Sequence, residues 1–390
     1  MIVAGPGRAV IVLAVYLLVG ATACAYDSPS RTTADVSVPP GVSDSGVTTV
    51  PPIRPPHVAE TVDGEGHPVR ATEARDPWTR PFSSTSIWNT PIGSDAVYEP
   101  AGLPYTERQS LEAVYLLRTT ATDPARPLIR SGGWRDRCSG TEKSGRTIHL
   151  PDGWLPAPVT DTATPNNPGV FLDLDGRTLV EVNAMGRCSG TGPLYGQWAA
   201  EENHLVDIYG DGVEGARGAS RMSQFGGPIR RGELTGDEPI RHVLELLVWS
   251  DHLYWGGDRA SSYRWPASGS DSYAGPDRYR GDNPELRMGS LLALPPLLTP
   301  QDLGVTTVIG RRLFRALQDY GAYVTDDSAW DAHYLPVESD AIGTFSWGEA
   351  ERSEMARMVT ALHVVINNAP ASVGGGGVPR RPLLPELGDP

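Results

Sequence analysis

Residues 170–182 read VFLDLDGRTLVEV, and this stretch decides the fold class. Two short apolar runs, 170–174 and 178–182, flank the dipeptide Asp175-Gly176, which is favoured in tight hairpin turns. Apolar runs of this length, bounded by turn residues, are typical of strands. The stretch therefore predicts an antiparallel β-hairpin within a domain built mainly from strands.

The rest of the chain supports a mainly β architecture. Its 44 glycines and 36 prolines indicate many turns. Only two segments have the 3.6-residue periodicity of an amphipathic helix, 310–320 and 349–367. This pattern predicts an antiparallel β-sandwich or jelly-roll-like core with two or more peripheral helices. Further strand-like runs lie at 205–209, 240–248, 290–293 and 322–325.

The first residues predict export. Arg8 precedes a short apolar run at 9–20, and small residues follow it up to Cys24. A weakly basic start, a short apolar core and small residues at a cleavage point are typical of a signal peptide. We predict a signal peptide over 1–23 and a lipid-modified Cys24 at the mature N-terminus. An ordinary signal peptide with an incidental cysteine is the alternative.

The three cysteines agree with this prediction. With Cys24 assigned to lipid, Cys138 and Cys188 remain, each within the pentapeptide RCSGT. Paired cysteines of an exported protein form disulfides in an oxidising compartment. Too few ligands lie close to these cysteines in sequence to indicate a metal. We therefore predict a Cys138–Cys188 disulfide, and neither a metal site nor a cofactor.

Composition divides the chain into four parts, the first being the signal peptide. Residues 24–75 are rich in serine, threonine and proline, which predicts a flexible tether that cannot bury an apolar core. Residues 76–370 are predicted to form a single extracellular domain, and 371–390 an irregular tail rich in glycine and proline. Because no later apolar segment is long enough to cross a membrane, the predicted location is the cell membrane, reached through the N-terminal lipid.

Charge and aromatic content narrow the class of ligand. The formal net charge of -14 argues against nucleic acid, because binding to phosphates requires a basic surface. Tryptophan (10 residues) outnumbers phenylalanine (5 residues). Indole rings are amphipathic and stack on sugar rings, although a tryptophan-rich core is the alternative explanation. A polysaccharide is therefore the predicted partner.

The densest group of polar residues lies between positions 226 and 331. His242 interrupts an apolar strand-like run, where a buried structural histidine is the alternative to a catalytic base. Tyr263, Arg264 and Trp265 are consecutive: tyrosine can transfer a proton, arginine can pair with a carboxylate, and tryptophan can stack on a sugar. The alternative is a loop that packs its aromatic residues on the sheet.

Carboxylates complete the candidate site. Cleavage of a glycosidic bond usually takes two carboxylates on opposite sides of the bond. Asp326 and Asp327 are adjacent, so we expect them to point to opposite faces of a strand. One of them would then pair with Asp271, Glu233 or Asp331; solvated turn residues are the alternative. The predicted catalytic residues are His242, Tyr263, Asp271 and Asp326, with Arg264 and Trp265 as substrate-binding residues.

Several motifs occur in a specific order along the chain. They are WNTP at 88–91, IRH at 240–242, YRWPA at 263–267 and YGAYV at 320–324. In this order they resemble a family of uncharacterised exported proteins of actinobacterial type. The resemblance covers residues 81–384 and implies an exported protein with a single domain, but it implies little about activity.

Together these patterns predict a lipid-anchored extracellular carbohydrate-active protein that binds a glycan. If the protein is an enzyme, we expect a glycoside hydrolase or a polysaccharide lyase. Acid pairs serve hydrolysis, whereas elimination beside a uronate uses a tyrosine or histidine base and an arginine that neutralises the carboxylate. A non-catalytic cell-envelope scaffold or adhesion protein is the main alternative. A hydrolase of esters or peptides is a weaker one, because the sequence has no GxSxG nucleophile motif.

Overall fold

The structure is a computed structural model, and it describes residues 75–161, 163–197, 205–328 and 330–388. The predicted signal peptide, Cys24 and the predicted tether up to residue 74 lie outside these ranges. Within them, every helix is too short or too polar to span a membrane.

The described residues form one sheet of thirteen strands and two α-helices, which confirms the prediction of a mainly β fold. The strands are β1 Tyr98–Pro100, β2 Gln109–Arg118, β3 Ala125–Arg130, β4 Lys143–His149, β5 Gly169–Leu172, β6 Thr178–Gly186, β7 Leu194–Gln197, β8 Leu205–Asp207, β9 Leu244–Trp249, β10 Leu291–Ala293, β11 Ala322–Ser328, β12 His333–Glu338 and β13 His363–Val365. The helices are α1 Val308–Asp319 and α2 Glu349–Thr360.

The sheet is mixed rather than wholly antiparallel. Its strand order is β1-β13-β10-β11-β9-β12-β2-β5-β6-β7-β3-β4, and β8 pairs with β6. β2 runs parallel to both β12 and β5, β9 runs parallel to β11, and β3 runs parallel to β7. Parallel neighbours need long crossover connections, so local hairpin signals do not reveal them. The predicted antiparallel sandwich or jelly roll is not confirmed.

The hairpin of β5 and β6 forms where the sequence predicts it. The two strands pair antiparallel across the turn that contains Gly176. Gly176 has a φ of +68°, a left-handed conformation that glycine adopts without a steric penalty. The Asp175 carboxylate accepts hydrogen bonds of 2.8 Å from the backbone N–H groups of Arg177 and Thr178. These bonds fix the direction in which the chain returns.

Both helices lie in the predicted segments, and their ends have physical causes. The Thr307 hydroxyl accepts a hydrogen bond of 2.9 Å from the backbone N–H of Gly310, which caps the start of α1. Gly321, with a φ of +81°, turns the chain out of α1 and into β11. The second helix ends at Thr360 rather than at 367, because the following residues form β13 between β1 and β10.

Two apolar clusters pack on the sheet. The larger one joins α1, α2 and the segment around Trp88, whose side chain is fully buried. The Trp88 indole N–H donates a 2.7 Å hydrogen bond to the Gly212 carbonyl, so its polar atom is satisfied inside the core. The smaller cluster contains Phe171 and Leu194 and packs around β3–β7. The core therefore explains part of the tryptophan content.

Residues 371–388 return to the start of the domain. The backbone N–H of Gly93 donates to the Gly374 carbonyl, and that of Ser94 to the Val378 carbonyl, both at 2.9 Å. These bonds tie the segment predicted as an irregular tail to the chain just before β1.

The structure contains the predicted disulfide between Cys138 and Cys188. Their Cα atoms are 6.3 Å apart, within the range that a disulfide spans. The bridge joins the short 3₁₀ helix Arg137–Ser139 to the residues that follow β6.

The double replacement C138S/C188S should destabilise the domain. The bridge closes a loop across a sequence separation of 50, and the chain-entropy relation gives a loss of about 4 kcal/mol for a loop of that length. Urea unfolding of the oxidised protein and of the variant measures the difference. The reduced wild type should unfold like the variant. A difference below about 1 kcal/mol, less than disulfides typically contribute, would contradict the prediction.

Candidate functional site

A cavity of about 1140 Å³ opens between several strands and loops. This volume exceeds the ~300–1000 Å³ typical of pockets for drug-sized molecules, so the cavity can hold a larger ligand. Residues of β2, β6, β7, β9, β11 and β12 contribute to its walls. The acidic and aromatic residues that line it are Glu112, Asp271, Asp326, Asp327, Trp134, Tyr273, Trp330 and Tyr334.

Three carboxylates meet in this cavity. Oxygen atoms of Asp271, Asp326 and Asp327 all lie within 4.8 Å of one another, a spacing that would also let them share one cation. A register shift between Val324 and Asp326, where β11 pairs with β9, interrupts the regular alternation of the strand. Asp326 and Asp327 follow this shift, and both line the cavity, so the expectation that they serve opposite faces is wrong.

Burial and mutual repulsion favour the protonated forms of these three carboxyls. Burial, and secondly repulsion from Asp327, raise the pKa of Asp271 to about 7, although Asp271 accepts the Tyr279 hydroxyl at 2.7 Å. Burial also raises the pKa of Asp326 far above its usual range. The pKa of Asp327 is raised by burial as well, against the effect of the Tyr273 hydroxyl, which donates to it at 2.7 Å. Burial therefore favours the protonated form at each of the three positions.

A buried arginine balances the surrounding acids. Arg217 forms ion pairs with Glu112 of β2 at 2.5 Å and with Glu245 of β9 at 3.0 Å. Burial alone would lower the pKa of Arg217, but the charges of these glutamates and of Asp326 raise it, so the guanidinium stays charged. Its positive charge in turn offsets part of the effect of burial on the pKa of Asp326.

Glu181 of β6 fixes the loop that carries Arg217. Its carboxylate accepts hydrogen bonds from the Ser223 hydroxyl at 2.6 Å and from the backbone N–H groups of Ala216 at 2.9 Å and Gln224 at 3.1 Å. Burial raises the pKa of Glu181 to about 7, against the effect of these three bonds. One buried side chain thus holds both ends of the loop against the sheet.

The same loop contacts the carboxylate cluster. The backbone N–H of Ala219 donates to Asp326 Oδ1 at 3.2 Å. A Cβ atom on Gly218 would lie 2.7 Å from Asp326 Oδ2, closer than real side chains approach. The absence of a side chain at Gly218 therefore allows the Asp326 carboxylate to stay in place.

Two tryptophans at the cavity are partly open to solvent. Trp134 is 43% exposed and Trp330 is 49% exposed. An arginine lies over each ring, Arg137 at 5.0 Å from Trp134 and Arg108 at 5.3 Å from Trp330. Cation–π contacts of this kind hold an indole ring in a defined orientation while leaving its other face available.

Among the predicted catalytic residues, Asp271 and Asp326 come together, whereas His242 and Tyr263 do not line the cavity. His242 Nε2 lies 3.0 Å from a carboxylate oxygen of Glu233, so this histidine has the buried structural environment given as its alternative. Tyr263 is partly buried against the larger apolar cluster. The predicted convergence of all four side chains is therefore wrong.

The predicted substrate-binding residues also lie outside the cavity lining. The Arg264 guanidinium forms an ion pair with Glu285 at 2.8 Å and donates to the Ile366 carbonyl at 2.8 Å. Trp265 packs, partly buried, on the larger cluster. These contacts match the alternative interpretation, a loop that packs its aromatic residues on the core. Asp331, named as a partner acid, is likewise not part of the lining and lies near Arg108.

Sequence reasoning missed three residues that build the site: Glu112, Glu181 and Arg217. One signal was available, because residues 215–227 read GARGASRMSQFGG, a run of small residues around two charged side chains. Such a run indicates close approach of the backbone to other groups. It does not show which strands supply those groups.

Comparison with protein-family models, curated proteins and solved structures finds no match to this chain. The interpretation of the cavity therefore depends on its own geometry. The resemblance to exported proteins of actinobacterial type stays a prediction.

Gly215→Ala should destabilise the domain. The added Cβ would lie 2.3 Å from Glu181 Oε2 and 2.5 Å from the Ser223 backbone, which forces the loop away from β6. Overpacking of this kind costs about 1–3 kcal/mol in the free energy of unfolding, measured by urea titration. Gly133→Ala is the matched control, since its Cβ would meet no atom within 4 Å. Equal effects of the two substitutions would refute this account of the loop.

The free energy of unfolding should fall as pH rises through neutrality. The folded-state pKa of Asp271, about 7, lies above its ordinary value of 3.8, so folding favours the protonated carboxyl. That stabilisation is complete below pH 3.8 and is lost as pH passes 7.

The variant D271N removes this titration, whereas Glu181, whose pKa is also about 7, titrates in both proteins. Between pH 5 and pH 8 we therefore expect the wild type to lose more stability than D271N, by more than about 1 kcal/mol. Urea unfolding at both pH values measures the loss, and parallel pH profiles would rule the assignment out.

Proposed function

We propose that this protein is a glycoside hydrolase that cleaves a polysaccharide in the cavity. The observation that carries the proposal is the convergence of Asp271, Asp326 and Asp327 in a cavity lined by Trp134 and Trp330. A pair of carboxyl groups, one protonated and one charged, is the usual machinery for breaking a glycosidic bond.

The environment of each carboxyl suggests its role. Asp271, with a pKa of about 7, retains a proton near neutral pH and would donate it to the departing sugar oxygen. Asp327 is less buried than Asp326 and accepts the Tyr273 hydroxyl, so it is the better group to carry the negative charge. Asp326 would position Asp327, whose backbone N–H donates to it at 3.1 Å.

The short spacing favours a double displacement. Retaining glycosidases have their two carboxyl groups about 5–5.5 Å apart, whereas inverting enzymes leave a wider gap for water. Oxygens of Asp271 and Asp327 lie within 4.8 Å of each other, which places the two groups on the close side of this range. Asp327 would attack the anomeric carbon while Asp271 protonates the leaving oxygen. Water, deprotonated by Asp271, would then release the sugar from Asp327 and restore both groups. The product should therefore keep the anomeric configuration of the substrate.

Hydrolysis has more support than elimination. A lyase needs a cation to neutralise the uronate carboxylate of its substrate. Arg264, the candidate for that role, is engaged with Glu285 outside the cavity lining. Arg217 is fully buried and already paired with Glu112 and Glu245. The other two arginines of the lining, Arg221 and Arg259, are exposed to solvent, which screens their charge.

We also propose that the protein acts outside the cytoplasm, on the extracellular side of the cell membrane. The Cys138–Cys188 disulfide supports this, because such bonds persist in oxidising compartments. A signal peptide over 1–23 and a lipid on Cys24 would provide export and attachment. A non-catalytic envelope scaffold is the competing proposal, and the dispersal of His242 and Tyr263 favours it.

Hydrolysis is tested with the full-length protein and a panel of polysaccharides, by measuring the release of reducing ends. We expect D271N and D327N each to lower kcat by about 10²–10⁴-fold, the usual contribution of acid–base groups. D277N is the matched control, since Asp277 is exposed, close in sequence and not part of the lining. The anomeric form of the first product, followed by NMR, should be retained.

Three outcomes would overturn the proposal. One is the absence of cleavage of every polysaccharide, which favours the scaffold. Another is full activity of both aspartate variants. The third is activity that a chelator abolishes and calcium restores, which would make the three aspartates cation ligands rather than an acid and a nucleophile.

A further inference from the structure

The charges in the cavity disfavour an anionic substrate. Three carboxyls stand within 4.8 Å of one another, and Glu112 adds a fourth nearby. Arg217 is already paired with Glu112 and Glu245, and its side chain is fully buried. Even with Asp271 protonated, a uronate carboxylate entering this space would stand beside the carboxylate of Asp327 with no buried cation free to pair with it, which is unfavourable.

Two other arginines, Arg221 and Arg259, line the cavity, but both are exposed to solvent. The Arg259 guanidinium donates to the Ser270 carbonyl at 2.9 Å. Exposed cations of this kind are screened by water and salt and contribute little attraction. The charge of Arg259 lowers the pKa of Asp271, but by less than burial and Asp327 raise it.

The neutral polar groups of the cavity match sugar hydroxyls. The amide side chains of Asn166, Asn167, Asn183 and Gln197 line it. Amides both donate and accept hydrogen bonds, as hydroxyl groups do. Asn166 already donates to Glu112, and the buried Asn167 donates to the Ala157 and Met185 carbonyls. Asn183 and Gln197 are more open and can pair with the hydroxyls of an uncharged ligand.

The two tryptophans belong to separate loops, and this separation indicates a ligand longer than one ring. Trp134 lies between β3 and β4, near the disulfide at Cys138, whereas Trp330 lies between β11 and β12. In the strand order, β12 and β3 are separated by β2, β5, β6 and β7. The two indoles therefore come from separate parts of the sheet, which favours a ligand of several rings over a single ring.

We infer that the substrate is an uncharged glycan of several sugar rings that stacks on Trp134 and on Trp330 while a bond between rings lies at Asp271 and Asp327. This inference rests on the proposed hydrolysis and names its substrate class. The cavity volume of about 1140 Å³ and the two separate indoles support a chain rather than a monosaccharide.

Calorimetry with the full-length D327N variant, which binds without turning over, tests the inference. The probes are neutral hexamers of glucose, xylose, mannose and arabinose, and acidic hexamers of galacturonate and mannuronate. We expect at least one neutral hexamer to bind and the acidic hexamers not to bind. The matching neutral dimer should bind at least about tenfold more weakly, because it reaches only one indole.

Trp134→Ala and Trp330→Ala, each added to D327N, should weaken hexamer binding by about five- to tenfold. Tyr105→Ala is the matched control, because Tyr105 is 49% exposed and does not line the cavity. Circular dichroism of each variant excludes misfolding as the cause of a loss. Unchanged hexamer binding in both tryptophan variants, equal binding of dimer and hexamer, or binding to no hexamer would overturn the inference.

The two proposals fail in different ways. If the wild type cleaves acidic hexamers and D271N does not, the proposed hydrolysis is supported and the neutral substrate class is refuted. If a neutral hexamer binds through both tryptophans but the wild type never cleaves it, the neutral ligand class is supported and the proposed hydrolase activity is refuted.

Discussion

The guanidinium of Arg217 is the interaction on which the centre of the molecule depends. It pairs with Glu112 of β2 and Glu245 of β9 and attracts Asp326 of β11, so one side chain joins three strands through charge. Removing the cation would leave buried carboxylates without a counter-charge, a change that usually costs about 3–5 kcal/mol. The acids can enter the interior only because the loop from 215 to 224 brings this cation to them, and Glu181 keeps that loop in place.

The site therefore combines buried carboxyl groups, which destabilise the fold, with hydrogen-bond donors that hold those carboxyl groups in place. Burial raises the pKa of Asp271 and of Asp327. Even so, Asp271 accepts a hydrogen bond from the Tyr279 hydroxyl, and Asp327 accepts one from the Tyr273 hydroxyl. Hydrogen bonds fix where the oxygens point, while burial and repulsion determine which of them holds a proton. Perturbed pKa values in a large cavity are typical of functional sites, and the surrounding sheet offsets their unfavourable contribution to stability.

Local sequence patterns predicted the hairpin, both helices, the disulfide pair and two of the three aspartates, because each depends on neighbours in sequence or on residue type. Features that depend on contacts between distant residues could not be predicted in this way. β2, with the sequence QSLEAVYLLR, contains many helix-forming residues and becomes a strand through its pairing with β12 and β5. His242 was predicted to be catalytic from its position in an apolar run, and that run does not show its contact with Glu233, nine residues earlier. The role of Arg217 could not be predicted, since both of its partners lie on strands remote in sequence.

The position of β2 between β5 and β12 also constrains the order of folding. Gln109 lies opposite His333, 224 residues later, so one edge of this central strand stays unpaired until most of the polypeptide has been synthesised. Closing so long a loop is slow, and a strand edge left open in the meantime invites contact with other chains. The central sheet can therefore be completed only after β12 has been synthesised. A truncation anywhere before β12 would leave a fragment prone to aggregation rather than a smaller working unit.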